Sequence, residues 1–195
     1  MRRFRTIIIA VSMGMLCVQA CAPGLERDIS VRQIVSPESS VITEVNDLKI
    51  SVGEIQDLRQ DPSIGMIGDT KLMPREKPAQ SVQIALEQKL KARGFSLKHF
   101  NAPVLVGDLY DWRVNVSQNF PLAEVQASAK VKLRLAAPNS SSFYEATYEG
   151  ESSGKSPIFS QGKIEEMLGA AMSVALDEAL RDDKLLAKIS EAQLR

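Results

Sequence analysis

The feature that most constrains the fold is a long stretch of strict alternation in the second half of the chain. From Val125 to Leu135 every second residue is apolar, and the residues between them are polar or basic. Successive side chains of a β-strand point to opposite faces, so this period of two predicts a strand with one buried face and one solvated face. Such strands are typical of antiparallel sheets, and we expect other elements to cover the apolar face.

Two further strands are expected beside this one. Residues 104–112 alternate before it, and residues 143–150 alternate after a turn at 138–141. The polar faces of the last two strands carry opposite charges, which predicts cross-strand ion pairs. The candidate pairs combine a lysine of the long strand with a glutamate of the returning strand: Lys130 or Lys132 with Glu145 or Glu149.

The remaining pattern predicts one further strand and two main helices. A strand begins near Leu48 and changes phase at Gly53, which indicates a bulge. Residues 59–77 are expected to form a long loop, in which a short strand around Ile64 to Ile67 is an open alternative. Residues 78–93 have apolar positions every four residues, and a second helix begins after Ser160. The expected fold is α+β, with the order β-α-β-β-β-α, about four antiparallel or mixed strands, and both helices on one face.

The N-terminus has the pattern of a signal peptide followed by a lipid-attachment site. Three arginines precede an apolar run that ends at Ala20, and Cys21 follows directly. We predict cleavage after Ala20 and acylation of Cys21; an ordinary secreted protein with a coincidental cysteine is the alternative. The predicted organisation is a signal peptide at 1–20, a lipidated N-terminus and flexible tether at 21–46, and a globular domain at 47–195.

The lipid anchor sets the expected location and partners. Diacylglycerol and acyl chains such as palmitate on Cys21 would hold the chain firmly, because a single chain gives only marginal membrane binding. Ala22 favours the outer membrane over the inner one, with the domain facing the periplasm. The full chain has 24 basic and 24 acidic residues, and the predicted signal peptide contains three of the arginines. The slightly acidic remainder argues against nucleic acid as a partner.

Several segments in a fixed order resemble the YajG-like family of bacterial lipoproteins. The segments are Leu86-Glu87-Gln88-Lys89-Leu90-Lys91-Ala92-Arg93-Gly94-Phe95, then Gly107-Asp108-Leu109-Tyr110, the alternating long strand, Tyr144 to Gly150 and the alanine-rich last helix. The resemblance covers roughly residues 45–192 and the lipoprotein N-terminus. It implies a small periplasm-facing α+β domain. It implies no activity and no catalytic residues.

No arrangement of residues predicts an enzyme, a cofactor or a metal site. His99, the single histidine, is expected in a solvated loop, and no nucleophile or second ligand lies near it in sequence. Asp108 and Asp111 are expected on opposite faces of a strand, which would prevent a paired-carboxylate site unless the strand breaks between them. The acidic residues of the long loop (Asp57, Asp61 and Asp69) lack the spacing of a calcium loop.

The candidate partner-binding residues lie on the predicted sheet. Tyr110 and Trp112 are expected to share a strand face with Asp108, either closing the core or serving as interface anchors. The charged face supplies the other candidates, which are Lys130, Lys132 and Glu149. An edge strand could also accept another chain by strand addition.

These observations support a non-enzymatic, lipid-anchored binding module for another component of the cell envelope, most plausibly a protein. The alternative is a carrier or sensor that holds a lipid or small apolar ligand between the sheet and the helices. The alanine-rich helix at 169–180 fits either close packing or a pocket. A hydrolase with an unrecognised site is a third class.

Overall fold

The structure, a computed structural model, describes residues 26–31, 48–97, 102–119, 122–136, 142–157 and 160–193. Within these ranges the chain forms a single α+β domain with a mixed sheet of eight strands and three helices. The strands are β1 (Glu26–Ile29), β2 (Lys49–Asp57), β3 (Gly65–Ile67), β4 (Thr70–Pro74), β5 (Ser96–Leu97), β6 (Val104–Asn119), β7 (Leu122–Ala136) and β8 (Ser142–Ser156). The helices are α1 (Pro78–Ala92), α2 (Gln161–Arg181) and α3 (Asp183–Gln193).

The sheet is built around three long antiparallel strands, β6, β7 and β8. Strand β7 lies in the middle and pairs with both of the others over nearly its whole length. The opposite edge of β6 is shared: β2 runs parallel to its first half, and β3 runs parallel to its second half. Strand β5 extends the sheet beside β2, and β4 and β1 extend it beside β3. The expected antiparallel core is therefore present inside a larger, mixed sheet.

The helices cover the apolar face of this sheet, as the alternation of β7 requires. Helix α2 contacts all three long strands, and α1 lies against β2 and β5. Helix α1 begins at Pro78 and ends before Gly94, whose φ is 90°, so the helix predicted at 78–93 is confirmed. Ser160 caps α2: its hydroxyl oxygen accepts a hydrogen bond from the Lys163 amide at 3.2 Å.

Helix α2 packs very closely on β8 because small residues face each other. A Cβ atom placed on Gly150 would lie 2.1 Å from the Ala171 carbonyl oxygen and 2.6 Å from the Ala175 amide nitrogen. Ala171, Ala175 and Ala179 are fully buried in the core. The alanine-rich face therefore brings the helix backbone onto the strand, and it does not border a pocket there.

A bulge in β6 changes which side chains face the core. Leu109 pairs with Val131, and the next pair is Asp111 with Lys130, so Tyr110 is the extra residue. Before the bulge Leu105 and Leu109 are buried, and after it Trp112 and Val114 are buried. The expectation that Tyr110 and Trp112 share a face is wrong, since Tyr110 points outward and Trp112 points into the core.

Two segments expected to be mostly irregular contain strands, and one of these strands, β3, agrees with the alternative of a short strand around Ile64 to Ile67. Strand β1 pairs in parallel with β4, and Ile29 and Val31 are buried, so residues 26–31 of the predicted tether belong to the folded domain. The predicted loop at 59–77 contains the hairpin of β3 and β4, whose turn includes Gly68 with a φ of 54°. Both segments join the sheet through pairing that is distant in sequence.

Candidate functional site

The face of β6, β7 and β8 that points away from the helices carries charged and hydroxyl side chains in columns along each strand. Strand β7 contributes Lys130, Lys132 and Arg134, and all three form ion pairs with a neighbouring strand. This surface, called the outer face below, consists of the outward residues of the three strands from Asp108 to Asn115, Gln126 to Arg134 and Glu145 to Ser153.

The ion pairs expected between β7 and β8 are confirmed. Lys130 Nζ lies 2.6 Å from Glu149 Oε1, directly across the strands, and Lys132 Nζ lies 2.9 Å from Glu145 Oε2 along a diagonal. The hydrogen bond from each lysine to its glutamate raises the pKa of that lysine. These side chains are solvent-exposed, so the pairs organise the surface and contribute little to stability.

The two carboxylates of β6 also lie on the outer face, and each has a cationic neighbour. The nearly buried Asp108 accepts a hydrogen bond from Arg134 Nη2 at 2.7 Å, while Asp111 lies 3.0 Å from Arg113 Nε. Asp111 also accepts a hydrogen bond from the Ser128 hydroxyl at 3.1 Å. The expectation that Asp108 and Asp111 occupy opposite faces is wrong, because the bulge inserts one residue between them.

A cleft of about 440 Å³ opens on the outer face where the bulge lies. Strand β2 leaves β6 at Asp57, and β3 joins β6 at Val114, so the segment between β2 and β3 forms one wall. Tyr110 and Met66 are 42% and 47% exposed at this cleft, and Lys130 and Arg113 also line it. The cleft thus combines apolar contact area with charged groups.

The wall of this cleft is held by a local ion pair and a turn. Arg59 donates hydrogen bonds from Nε and Nη2 to the two carboxylate oxygens of Asp57, at 2.8 and 2.9 Å. Burial raises the pKa of Asp57, but the bonds from Arg59 outweigh it, so the net pKa is lowered. The Asp61 side chain accepts the Ser63 amide hydrogen at 2.8 Å and closes the turn.

A second cleft of about 470 Å³ lies further along the outer face and shares Arg113 with the first. Its lining is polar and comes from all three long strands: Arg113, Asn115, Gln126, Ser128, Glu151 and Ser153. The alternation of β7 places Gln126 and Ser128 here. The sequence did not single out the residues of this cleft, because polar residues on a solvated strand face are ordinary.

Of the sequence-predicted candidates, the structure brings four together on the outer face: Tyr110, Lys130, Lys132 and Glu149. Trp112 is excluded from this surface because its side chain is fully buried, and its Nε1–H donates to the Leu168 carbonyl of α2 at 3.0 Å. The apolar pattern of the sequence could have indicated that Trp112 is buried. The apolar positions are odd-numbered before the bulge (105 and 109) and even-numbered after it (112 and 114), and such a change of phase is typical of a bulge.

A tyrosine–aspartate cluster joins β8 to the break between α2 and α3. Asp182 Oδ2 accepts a hydrogen bond from Tyr144 and another from Tyr148, the latter at 2.7 Å. Burial raises the pKa of Asp182, but these bonds and the backbone amide of Lys184 outweigh it, so its net pKa is lowered. Burial and the bond to Asp182 raise the pKa of Tyr148. The cluster satisfies buried polar groups at a helix junction, which is a structural role.

Other predicted features lie outside the described residues. These are Ala20 and Cys21 at the predicted processing site, and His99 in its loop. Among the described residues, no three histidine, cysteine or acidic side chains are grouped so that they could hold a metal ion. Helices in the described part of the chain are too short or too polar to cross a membrane.

Comparison with known protein families assigns the chain to a family. A family model described as "Uncharacterized lipoprotein" matches residues 37–190. The chain belongs to this lipoprotein family. The match agrees with the lipoprotein part of the resemblance seen in the sequence, although it does not single out the YajG-like members. No curated protein sequence matches the chain.

Solved structures that resemble this chain share little sequence with it. A crystal structure of a protein from Xanthomonas campestris has 10% identity and a TM-score of 0.59, covering 86% of this chain and 99% of its own. A minor lipoprotein from Acinetobacter baumannii has 14% identity and a TM-score of 0.44, covering 69% and 90%. A putative neuraminyllactose-binding hemagglutinin homolog from Helicobacter pylori has 9% identity and a TM-score of 0.46, covering 85% and 98%. Only the first likeness is strong enough to support the fold, and these names specify no catalytic activity.

Proposed function

We propose that this chain is a non-enzymatic lipoprotein, anchored through acylated Cys21 in the outer membrane and facing the periplasm, that binds another protein of the cell envelope through the outer face. Membership of the lipoprotein family supports the anchor. The pattern of Ala20 and Cys21 supplies the attachment site, and Ala22 favours the outer membrane.

The observation that carries the binding proposal is the cleft at the bulge. Tyr110 and Met66 are large side chains left nearly half exposed, and they stand beside Lys130 and Arg113. Aromatic residues, methionine and arginine are enriched at the centres of protein interfaces. The surrounding ion pairs form a polar rim, which is the usual arrangement around such a centre.

The opposite side of the sheet offers no comparable site for an apolar ligand at α2. The backbone of α2 meets Gly150 directly, and the contact leaves no room for a lipid chain between them. The carrier hypothesis, in which a ligand lies between the sheet and the helices, is therefore less well supported than binding on the outer face.

Photo-crosslinking in cells tests the proposal. A photoreactive residue replaces Tyr110 or Lys130 in the full-length chain, and Ile84 is the control because it is equally exposed on α1, away from the outer face. We expect a protein adduct of one defined mass from Tyr110 and Lys130, and none from Ile84. Adducts from Ile84 alone, or lipid adducts only, would contradict the proposed face.

Charge reversal supplies a matched second test. Lys130→Glu should weaken partner capture without unfolding the domain, because it disrupts an exposed pair with Glu149. Lys188→Glu is the control, since Lys188 forms a similarly exposed pair with Glu191 on α3. Equal capture by the two variants would count against the outer face. For the anchor, Cys21→Ser should abolish incorporation of labelled palmitate, whereas retained label would contradict acylation at Cys21.

A further inference from the structure

Basic side chains of β7 lie between acidic side chains of its two neighbours on the outer face. Arg134 of β7 pairs with Asp108 of β6, while Lys130 and Lys132 pair with glutamates of β8. The second carboxylate of β6, Asp111, pairs with Arg113 of its own strand. Strand β8 then presents an acidic column of Glu145, Glu149 and Glu151, which are all exposed. Opposite charges on neighbouring strands stabilise a sheet, so a further strand beside β8 would complete the pattern if it were basic.

In the part of the chain that the structure describes, one edge of β8 has no neighbouring strand, and a further strand could form there. Among the described strands, β8 pairs only with β7, and it extends over the 15 residues Ser142–Ser156. The edge strands at the other side of the sheet are much shorter, with four residues in β1 and two in β5. A long edge exposes backbone N–H and C=O groups that can pair with another chain.

Charge makes a second copy of this chain a poor occupant of the edge. An antiparallel pairing of two β8 strands has its fullest overlap when Glu149 lies opposite its own copy. Like charges directly opposite each other destabilise a strand pair. In this respect the glutamates protect the edge against self-association, and they leave it suited to a partner of opposite charge.

The neighbouring flank of α2 adds an apolar contact for the same partner. Positions 163, 167 and 174 share one stripe of the helix, because seven or eleven residues bring a side chain back to nearly the same direction. Lys163 and Met167 lie over Gly154 of β8, and Val174 on this stripe is 48% exposed. A strand added to β8 would turn every second side chain toward this flank.

We infer that the open edge of β8 binds an extended segment of a protein partner, with basic side chains alternating with apolar ones. The basic side chains would meet Glu145, Glu149 and Glu151, and the apolar ones would cover Val174. Glu149 uses one carboxylate oxygen for Lys130, and its second oxygen can accept from another cation. This inference rests on the proposed binding function and adds the edge and the chemistry of the partner.

The test uses the full chain in detergent and two synthetic nine-residue peptides. One peptide alternates lysine and valine, and the other has the same composition with the lysines grouped at one end. Hydrogen exchange followed by mass spectrometry reports protection of the backbone amides of β8. We expect the alternating peptide to slow exchange in Ser142–Ser156 and the grouped peptide to have a much weaker effect.

Variants test the charge and the apolar contact separately. Glu151→Lys reverses the charge of a β8 residue that lies opposite Ser128, and it should weaken binding of the alternating peptide roughly twofold to fivefold. Glu54→Lys makes the same change on the exposed part of β2 and should leave binding unchanged. Val174→Ser should also weaken binding, because it removes apolar contact area without adding a charge or altering a residue of the edge.

Three results would overturn the inference: no protection of β8 by the alternating peptide, equal protection by the grouped peptide, or equal binding by the Glu151→Lys and Glu54→Lys variants. These results would leave the proposed function standing if photoreactive Tyr110 still captures a protein in cells. Loss of capture from Tyr110 together with protection of β8 would instead refute the outer-face proposal alone.

Discussion

Two glycines of β8 provide a sharp test of how tightly the sheet and α2 are packed. Gly150 and Gly154 lie on the same strand, four residues apart and on the same face, and both have backbone conformations that alanine can adopt. They differ in what an added methyl group would meet. At Gly150 the obstacle is the α2 backbone, whereas at Gly154 it is the Lys163 side chain and the Met167 sulfur, at 2.7 and 3.0 Å.

The expected costs follow from this difference. Flexible side-chain ends can move aside, so Gly154→Ala should leave the free energy of unfolding nearly unchanged or raise it by up to about 1 kcal/mol, because alanine restricts the unfolded chain. Gly150→Ala must displace the helix at Ala171, and we expect a loss of about 2–3 kcal/mol, near the upper end of the range for overpacking. That loss corresponds to a decrease in melting temperature of roughly 4–12 °C.

Urea denaturation of the full chain in detergent, followed by far-ultraviolet circular dichroism, measures both variants against the wild type. If the two substitutions had the same effect, or if Gly150→Ala were neutral, the helix would not lie directly on β8. In that case there would be room between sheet and helix, and the carrier hypothesis would regain support. The comparison therefore bears on function as well as on packing.

Further predictions concern the tyrosine–aspartate cluster and the single tryptophan. Asp182→Ala removes the carboxylate that accepts hydrogen bonds from both Tyr144 and Tyr148 and should lower the unfolding free energy by about 2–4 kcal/mol, as measured by urea denaturation. Because hydrogen bonds lower the folded-state pKa of Asp182 below its ordinary 3.8, its stabilisation is present above that pH and is lost as the pH falls through the folded value. Asp182→Asn should therefore flatten the loss of stability as the pH falls below about 4, and an unchanged slope would refute this. Trp112 should emit at short wavelength and resist acrylamide quenching, while Trp112→Phe should cost about 1–2 kcal/mol through its lost bond to Leu168 and leave partner capture intact. Ready quenching would mean that this side chain is exposed.

The elements with strong local patterns could be predicted from the sequence. The α1 helix and the alternation of β7 depend on residues near each other in the chain, and so does the Ser160 cap. The pairing of Lys130 with Glu149 also follows from local patterns, because β7 and β8 are joined by a short connection. Where the period is clear and the partner strand is next in sequence, composition and spacing determine the arrangement.

The short strands and the bulge were harder to predict because long-range contacts determine them. Strand β1 has four residues, of which only Ile29 is buried, and its place in the sheet depends on pairing with the distant β4. The Gly68-Asp69 dipeptide is a known signal for a two-residue hairpin turn, and it could have revealed the hairpin of β3 and β4. At the bulge, residues 104–112 alone suggest an unbroken strand in which Tyr110 and Trp112 share a face. Only the apolar positions on both sides of the bulge together indicate that Trp112 points into the core.

The two faces of the sheet differ in how closely their side chains are packed. The inner face is occupied by contacts that allow little change, such as Gly150 against the α2 backbone and Trp112 against Leu168. Packing of this kind preserves a fold, and a structure with only 10% sequence identity still has a TM-score of 0.59. On the outer face, exposed ion pairs such as Lys130 with Glu149 contribute little to folding, whereas Asp108 is buried beneath its pair with Arg134. The exposed Tyr110 and Met66 beside charged side chains are therefore not explained by stability, and for this reason we propose that the outer face recognises a partner.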